Sequence, residues 1–226
     1  MTETMAARDA APLPIAVIHL DESCLGNGRE GDNPGGGGGI IECRAGGAGG
    51  AGGTAGAIQR RDVYLSAPAT TNNRMALLGA TQALEVLAAK GRRLRVLIVS
   101  DSQYLVKGMR EWVPGWKARG WRRQGGPIEN LELWQALVDA AKQHDVQWTW
   151  VRGHKGHAKN EYANDLAIRA AREQVTSAGA EPSGFDDWLA AQRKKRLYLA
   201  YDPDATFEAL EARVATGRPI ALAEKA

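Results

Sequence analysis

The sequence predicts an α/β fold: a five-stranded mixed sheet in which an antiparallel hairpin triplet joins parallel strands, with helices on its faces. Three observations predict it. Apolar runs of strand length alternate with helical patterns in the order β-β-β-α-β-α-β-α. Two of those runs, residues 15–23 and 94–100, bring an aspartate (Asp21 and Asp101) to a strand's carboxyl end. That end is where mixed α/β folds hold metals and do chemistry. Finally, 226 residues with 44% hydrophobic content suffice for one ordinary core plus extensions.

The elements follow in order. Residues 15–23 form the first strand, followed by a distended Gly-rich turn over 26–34. The second strand is expected over 37–44, and the low-complexity run 45–56 reads as a long flexible hairpin loop before the third strand, 58–67. A helix over 73–89 carries Leu77, Ala80, Leu84, Leu87 and Ala88 at helical spacing, and Gly91 ends it. The fourth strand, 94–100, leads into helices over 103–110 and 131–144. A strand beginning at Val146 and a helix over 160–173 complete the pattern.

Past Gln174 the pattern breaks at a linker, 176–184. A basic helical stretch, 186–199, follows, and then a helix over 206–215 with Phe207, Leu210 and Val214 on one stripe. The expected organisation is a tail over 1–13, a domain over 14–173, and a linker with helical extension over 174–226. That extension reads either as a helical hairpin against the domain or as an arm for another partner.

Composition narrows the function classes. The net charge of +3 is only mildly basic, so affinity for nucleic acid must come from local clusters. Cys24 and Cys43 lack metal-ligand spacing and read as reduced thiols. No apolar run is long enough to span a bilayer, and residues 1–14 lack the apolar middle of a signal peptide. A monomeric cytoplasmic protein is expected.

The segment 99–106, Val-Ser-Asp-Ser-Gln-Tyr-Leu-Val, is the most informative in the chain. By itself it is also a plausible helix cap, since Asp and Ser cap helices. Its companions are Asp21-Glu22, Thr70-Thr-Asn-Asn-Arg-Met75, Val151-Arg-Gly-His154 and Asn160-Glu-Tyr-Ala-Asn-Asp-Leu-Ala167. In this order and spacing the segments closely resemble type 1 ribonuclease H, over roughly residues 14–173. Trp112, Trp116, Trp121, Trp134, Trp148 and Trp150 also fall where the bacterial enzymes have tryptophan. The resemblance implies a ribonuclease H-like fold and a metal-dependent endonuclease that cuts RNA in an RNA–DNA hybrid.

Members of that family hold two divalent cations, usually Mg²⁺ and sometimes Mn²⁺, with four carboxylates. Asp21 and Asp101 match two of them. The glutamate expected after Asn-Asn-Arg-Met is Ala76, and the aspartate expected in the last helix is Asn164, with Asp165 one residue late. Asn164 keeps a carbonyl oxygen that can coordinate a cation; Ala76 keeps nothing. Cation affinity and activity are therefore expected to be reduced. Glu22, Glu161 and Asp165 are the candidate substitutes. Strand alternation points Glu22 away from Asp21 unless the chain kinks, and Asp165 sits about 100° round its helix from Asn164.

The resemblance also makes His154 the mobile-loop histidine that moves protons or helps release product. It matches Asn27, Asn72, Asn73 and Gln103 to residues that touch the minor groove of the hybrid, and Thr71 to a phosphate contact. The Asn72-Asn73 pair reads equally as a helix cap. Lys117, Arg119, Arg122 and Arg123, interleaved with Trp116 and Trp121, match the basic protrusion that grips the DNA strand. The competing reading is a non-cleaving module that binds RNA–DNA hybrid or double-stranded RNA through the same groove. Natural divergence and substitutions made to trap a complex both fit Ala76 and Asn164; the Asp21-Glu22 doublet and the long inserts favour divergence.

Overall fold

The computed structural model describes residues 13–26, 33–45, 56–153 and 156–222. Its sheet consists of β1 (Ile15–Cys24), β2 (Gly35–Arg44), β3 (Ile58–Ala67), β4 (Arg95–Ser100), β5 (Asp145–Trp150) and β6 (Glu181–Pro182), in the order β5-β4-β1-β2-β3-β6. β1, β2 and β3 are antiparallel neighbours, while β1, β4 and β5 run parallel. The mixed topology is the expected one. The sixth strand corrects the expected count of five: two residues of the presumed linker pair with the free edge of β3.

One face of the sheet carries α1 (Asn72–Ala88), α2 (Gln103–Lys107), α3 (Val113–Ala118) and α4 (Leu131–Ala141). Thr71, not an asparagine, caps α1, its side chain accepting from the Arg74 amide. The expected helix over 103–110 is shorter. After Lys107 the chain passes through a π-helical turn, Gly108–Trp112, before α3. The turn brings Gly108 against the Trp134 ring, which packs with Trp112, Trp116 and Tyr104. Apolar residues at helical spacing on α1 meet Ile18, Leu20, Val96 and Ile98 in the larger core cluster.

The other face carries α5 (Ala158–Glu173), α6 (Phe185–Lys194) and α7 (Ala205–Ala215). The stripe Phe207, Leu210 and Val214 of α7 covers Ile15, Val17, Leu97 and Val99. Phe185 and Leu189 of α6 join Ile40 and Tyr162. The helix expected to run to Leu199 ends at Lys194; Arg196 and Tyr198 take positive φ beyond it.

The glycine run of β2 explains how both faces close. The strand begins at Gly35, two residues before the expected start, and its glycines alternate between faces. A Cβ at Gly36 or Gly38 would overlap the α5 backbone at Ala167 or Ala163, and Gly37 lies against Gly79 of α1. Glycine weakens a strand interior, and here it allows helices to approach closely from both sides.

A charged cluster is buried under α5. Glu42 is fully buried and Lys159 is 2% exposed, with Nζ 2.7 Å from the Glu42 carboxylate. Arg60 donates to Glu42 and ion-pairs with Asp204, and both Lys159 and Arg60 donate to the Pro203 carbonyl. These bonds tie β2, β3 and α5 to the chain just before α7. Among the described residues, no helix is long and apolar enough to cross a membrane.

Candidate active site

Parallel pairing of β1 with β4 aligns Leu20 with Ser100, so the next residues, Asp21 within β1 and Asp101 just past β4, lie side by side. The two aspartates expected to act together do meet. Glu22 joins them: carboxylate oxygens of Asp21, Glu22 and Asp101 all lie within 4.8 Å of one another. β1 stays in register with β2 through Cys24, and within it Asp21 Oδ1 accepts from the Glu22 amide at 2.7 Å. The three carboxylates therefore meet without the kink that the alternation argument asked for.

Strand alternation explains how Glu22 enters. Leu20 packs in the cluster shared with α1, and Glu22 lies on the same side. There it meets the Ser102 hydroxyl. Ala76, 5% exposed, lies in that same α1-side cluster and supplies no oxygen. β1 thus places a carboxylate on the side where α1 has only Ala76.

Three acids this close repel one another. Burial, then the Asp101 charge, then Glu22 push Asp21 up to about 8, against a backbone hydrogen bond that pulls it down. Burial and Asp101 push Glu22 up to about 8 as well, opposed by Ser102. A divalent cation removes both the repulsion and the unmet solvation, and all the donors are hard oxygens of the kind Mg²⁺ prefers. The donor set fits such an ion.

Asp101 is held from two directions. The Trp150 indole donates to its carbonyl at 3.0 Å, although the ring stays 42% exposed. Gly153 lies against its carboxylate, where a Cβ would overlap Oδ2. Ser100 Oγ accepts from the Ser102 amide, and Ser102 caps α2. Sequence reasoning gave Gly153 and Trp150 no part at Asp101, while its capping reading of the 99–106 segment holds for Ser102. It weighed Glu22 and set it aside.

Asn164 approaches from α5. Asn160, four residues earlier on the same helix face, donates to the Leu20 carbonyl at 3.1 Å. α5 runs along β1: Gly38, opposite Asp21, touches Ala163 and Ala167, while Gly36, opposite Ser23, touches Ala167 and Ala171. One turn of about 5.4 Å beyond Asn160 therefore brings Asn164 level with Asp21. The other two candidate substitutes are engaged elsewhere. Asp165 accepts from the Trp188 indole at 2.7 Å, and Glu161 faces the Tyr198 hydroxyl.

Thr71, Asn72 and Asn73 open α1 and Gln103 opens α2, the helix directly behind Asp101. The Asn72 Oδ1 is buried without a hydrogen-bond partner among the described residues. Lys117, Arg119, Arg122 and Arg123 are exposed around the half-buried Trp121, and none pairs with a carboxylate among the described residues. Arg119 and Arg123 line a groove of ≈ 510 Å³ together with Trp112, Trp116, Glu111 and Glu129. Asn27 and His154 lie outside the described residues.

The RNase H family model matches residues 15–172. The chain belongs to the ribonuclease H family. These enzymes are hydrolytic endoribonucleases that cut the RNA strand of RNA–DNA hybrids. Ribonuclease H of Aromatoleum aromaticum is 42% identical over 74% of this chain and 96% of its own length. Ribonuclease HI of Caulobacter vibrioides is 40% identical over 71% of this chain and 95% of its own length. Among solved structures, LC9-RNase H1, described as a type 1 RNase H with the type 2 active-site motif, is 50% identical with a TM-score of 0.73. That match covers 83% of this chain and 87% of the other. The PFV RNase H domain shares the fold at 16% identity, with a TM-score of 0.54 over 70% of this chain and 94% of that one.

Proposed function

We propose that this ribonuclease H cuts its RNA strand at a Mg²⁺ site formed by Asp21, Glu22 and Asp101, with Asn164 as a neutral fourth ligand and Mn²⁺ as an alternative ion. The observation that carries the reading is the convergence of three carboxylates, two from β1 and one just past β4. With Glu22 counted, the site regains a third negative charge, and only the Asn164 position remains neutral. LC9-RNase H1, with its type 2 motif in a type 1 enzyme, supports a carboxylate set that departs from the type 1 pattern.

When bound, the ions supply an activated water and stabilise the leaving oxygen of an in-line phosphodiester displacement. The chain's own residues do the rest. Trp150 and Gly153 fix Asp101, and Ser102 fixes Glu22. Asn72, Asn73, Gln103 and Asn27 offer amides to the minor groove, and Thr71 offers a phosphate contact. Lys117, Arg119, Arg122 and Arg123 hold the DNA strand by charge, with Trp121 as a flat surface beside them. His154 moves protons at the scissile end. The reading assigns cleavage to residues 14–173 of a monomeric cytoplasmic enzyme, in keeping with two free cysteines.

The test is cleavage of an end-labelled hybrid with Mg²⁺, with Mn²⁺ and with EDTA. Internal cuts confined to the RNA strand, and abolished by EDTA, support the reading. Tight hybrid binding without cleavage under either ion would favour the non-cleaving module.

A further inference from the structure

Asn164 lies in α5 with a carboxylate on each side of it in sequence, and residues beyond the family match hold both. Trp188 of α6 donates to Asp165, and Tyr198, in the strained turn after α6, faces Glu161. Measured round the helix from Asn164, Asp165 lies at about 100° and Glu161 at about 60°, so both ties grip one flank.

We propose that Trp188 and Tyr198 are positioning residues for the metal site: by holding Asp165 and Glu161 they fix the rotation of α5 and hence the reach of Asn164 towards Asp21. The inference rests on Asn164 acting as a ligand, as proposed above.

The packing gives this rotation leverage. Gly36 and Gly38 of β2 put no side chains between α5 and the sheet, and on that side the first turns of the helix are keyed by the bond from Asn160 to Leu20 and by the Tyr162 hydroxyl, which donates to Asp62. Lys159 pins the first turn by its bonds to Glu42 and Pro203. The second turn, which carries Asn164, is held on its outer flank by the two aromatic residues. An uncharged amide is a weak ligand and depends on placement, so a small rotation matters more here than for a carboxylate. The arrangement also explains why Asp165 does not turn inward to replace Asn164: its charge is already engaged by an indole N–H.

The test uses the full chain and measures Mn²⁺ affinity by calorimetry. Trp188→Phe keeps the stacked ring and removes the donor; Tyr198→Phe removes only the hydroxyl. The double variant should bind Mn²⁺ about three- to tenfold more weakly, the lower end of what loss of an outer partner costs a metal site. Its KM for hybrid at saturating Mn²⁺ should stay unchanged. In an Asn164→Ala background the same pair should add no further loss. Equal weakening in that background would show a merely structural role and overturn the proposal, as would unchanged affinity in the double variant. If Trp188→Phe melts early, Asp165→Asn tests the same tie and should weaken Mn²⁺ binding to the same extent. A parent that cleaves hybrid while the variants keep its affinity overturns this inference alone. A parent that binds no Mn²⁺ overturns it together with the metal-site reading.

Discussion

Gly153 lies so close to the Asp101 carboxylate that the smallest side chain at that position would overlap Oδ2. Its φ is not in the left-handed region, so the requirement is for space and not for backbone freedom. Gly153→Ala should therefore displace Asp101 while leaving the fold intact. A shift of about 1 Å at a reacting centre costs on the order of 100-fold in rate. The expected outcome is a fall of that size in kcat for hybrid cleavage, with a thermal midpoint close to that of the parent.

The buried Lys159–Glu42 pair links the sheet to α5 and to the chain before α7. Burial pulls the lysine pKa down and Glu42 opposes it. Removing one partner of a buried pair strands the other charge, at a cost of about 3–5 kcal/mol. Lys159→Ala should lower stability by that order in urea unfolding, with Glu42 left facing Arg60 and the His19 ring. Lys159→Met combined with Glu42→Gln should lose much less. Equal losses in the two variants would mean that the intact ion pair itself, which both remove, and not a stranded charge, sets the cost.

Much of this was legible in the sequence, and the misses share a cause. The strands, the helices over 73–89 and 131–144, and the meeting of Asp21 with Asp101 follow from periodicity and from aspartates at strand ends. The entry of Glu22 was not legible, because alternation sends it to the face opposite Asp21, and the sequence does not show that Asp101 lies within reach of both. A hint was present: a glutamate following the first aspartate in the same chain in which α1 offers only Ala76. β6 was hidden because two residues have no period, and Pro182 on an edge strand reads as linker. The start of β2 was hidden by glycines that signal a turn locally and serve helix packing in the tertiary structure.

Proton release on metal binding should report the crowding of the site. With Asp21 and Glu22 each pushed up to about 8, the metal-free folded chain keeps protons that the unfolded chain gives up near pH 4. Their contribution to stability is therefore greatest below about pH 4 and is lost as the pH rises to 8. Cation affinity runs the other way and should rise over the same window. Calorimetry at pH 7 in buffers of different ionisation enthalpy should show roughly one to two protons released per Mn²⁺ site filled. Near pH 9 the release should approach zero.

The exposed cations of the protrusion should govern salt sensitivity. Each phosphate contact contributes about one unit to the slope of log affinity against log salt. Replacing Lys117, Arg119, Arg122 and Arg123 by Ala should weaken hybrid binding and flatten that slope, with EDTA present to suppress cleavage. An unchanged slope would remove the protrusion from the substrate surface.

The most direct measurement concerns Glu22, compared with Ala76 across the site. Hybrid cleavage at saturating Mg²⁺ should be followed for the parent, Glu22→Gln, Ala76→Glu, and Glu22→Gly combined with Ala76→Glu. Glu22→Gln keeps the shape and the bond to Ser102 but removes a charge, and should lower cleavage by a factor on the order of 100, as expected for loss of transition-state electrostatic stabilisation. Ala76→Glu alone should not raise activity, since it adds a fourth acid to a filled position. The combined variant should recover most of what Glu22→Gly loses, because the carboxylate returns from α1. Parent-level cleavage by Glu22→Gln would contradict the assignment of Glu22 to the catalytic metal site.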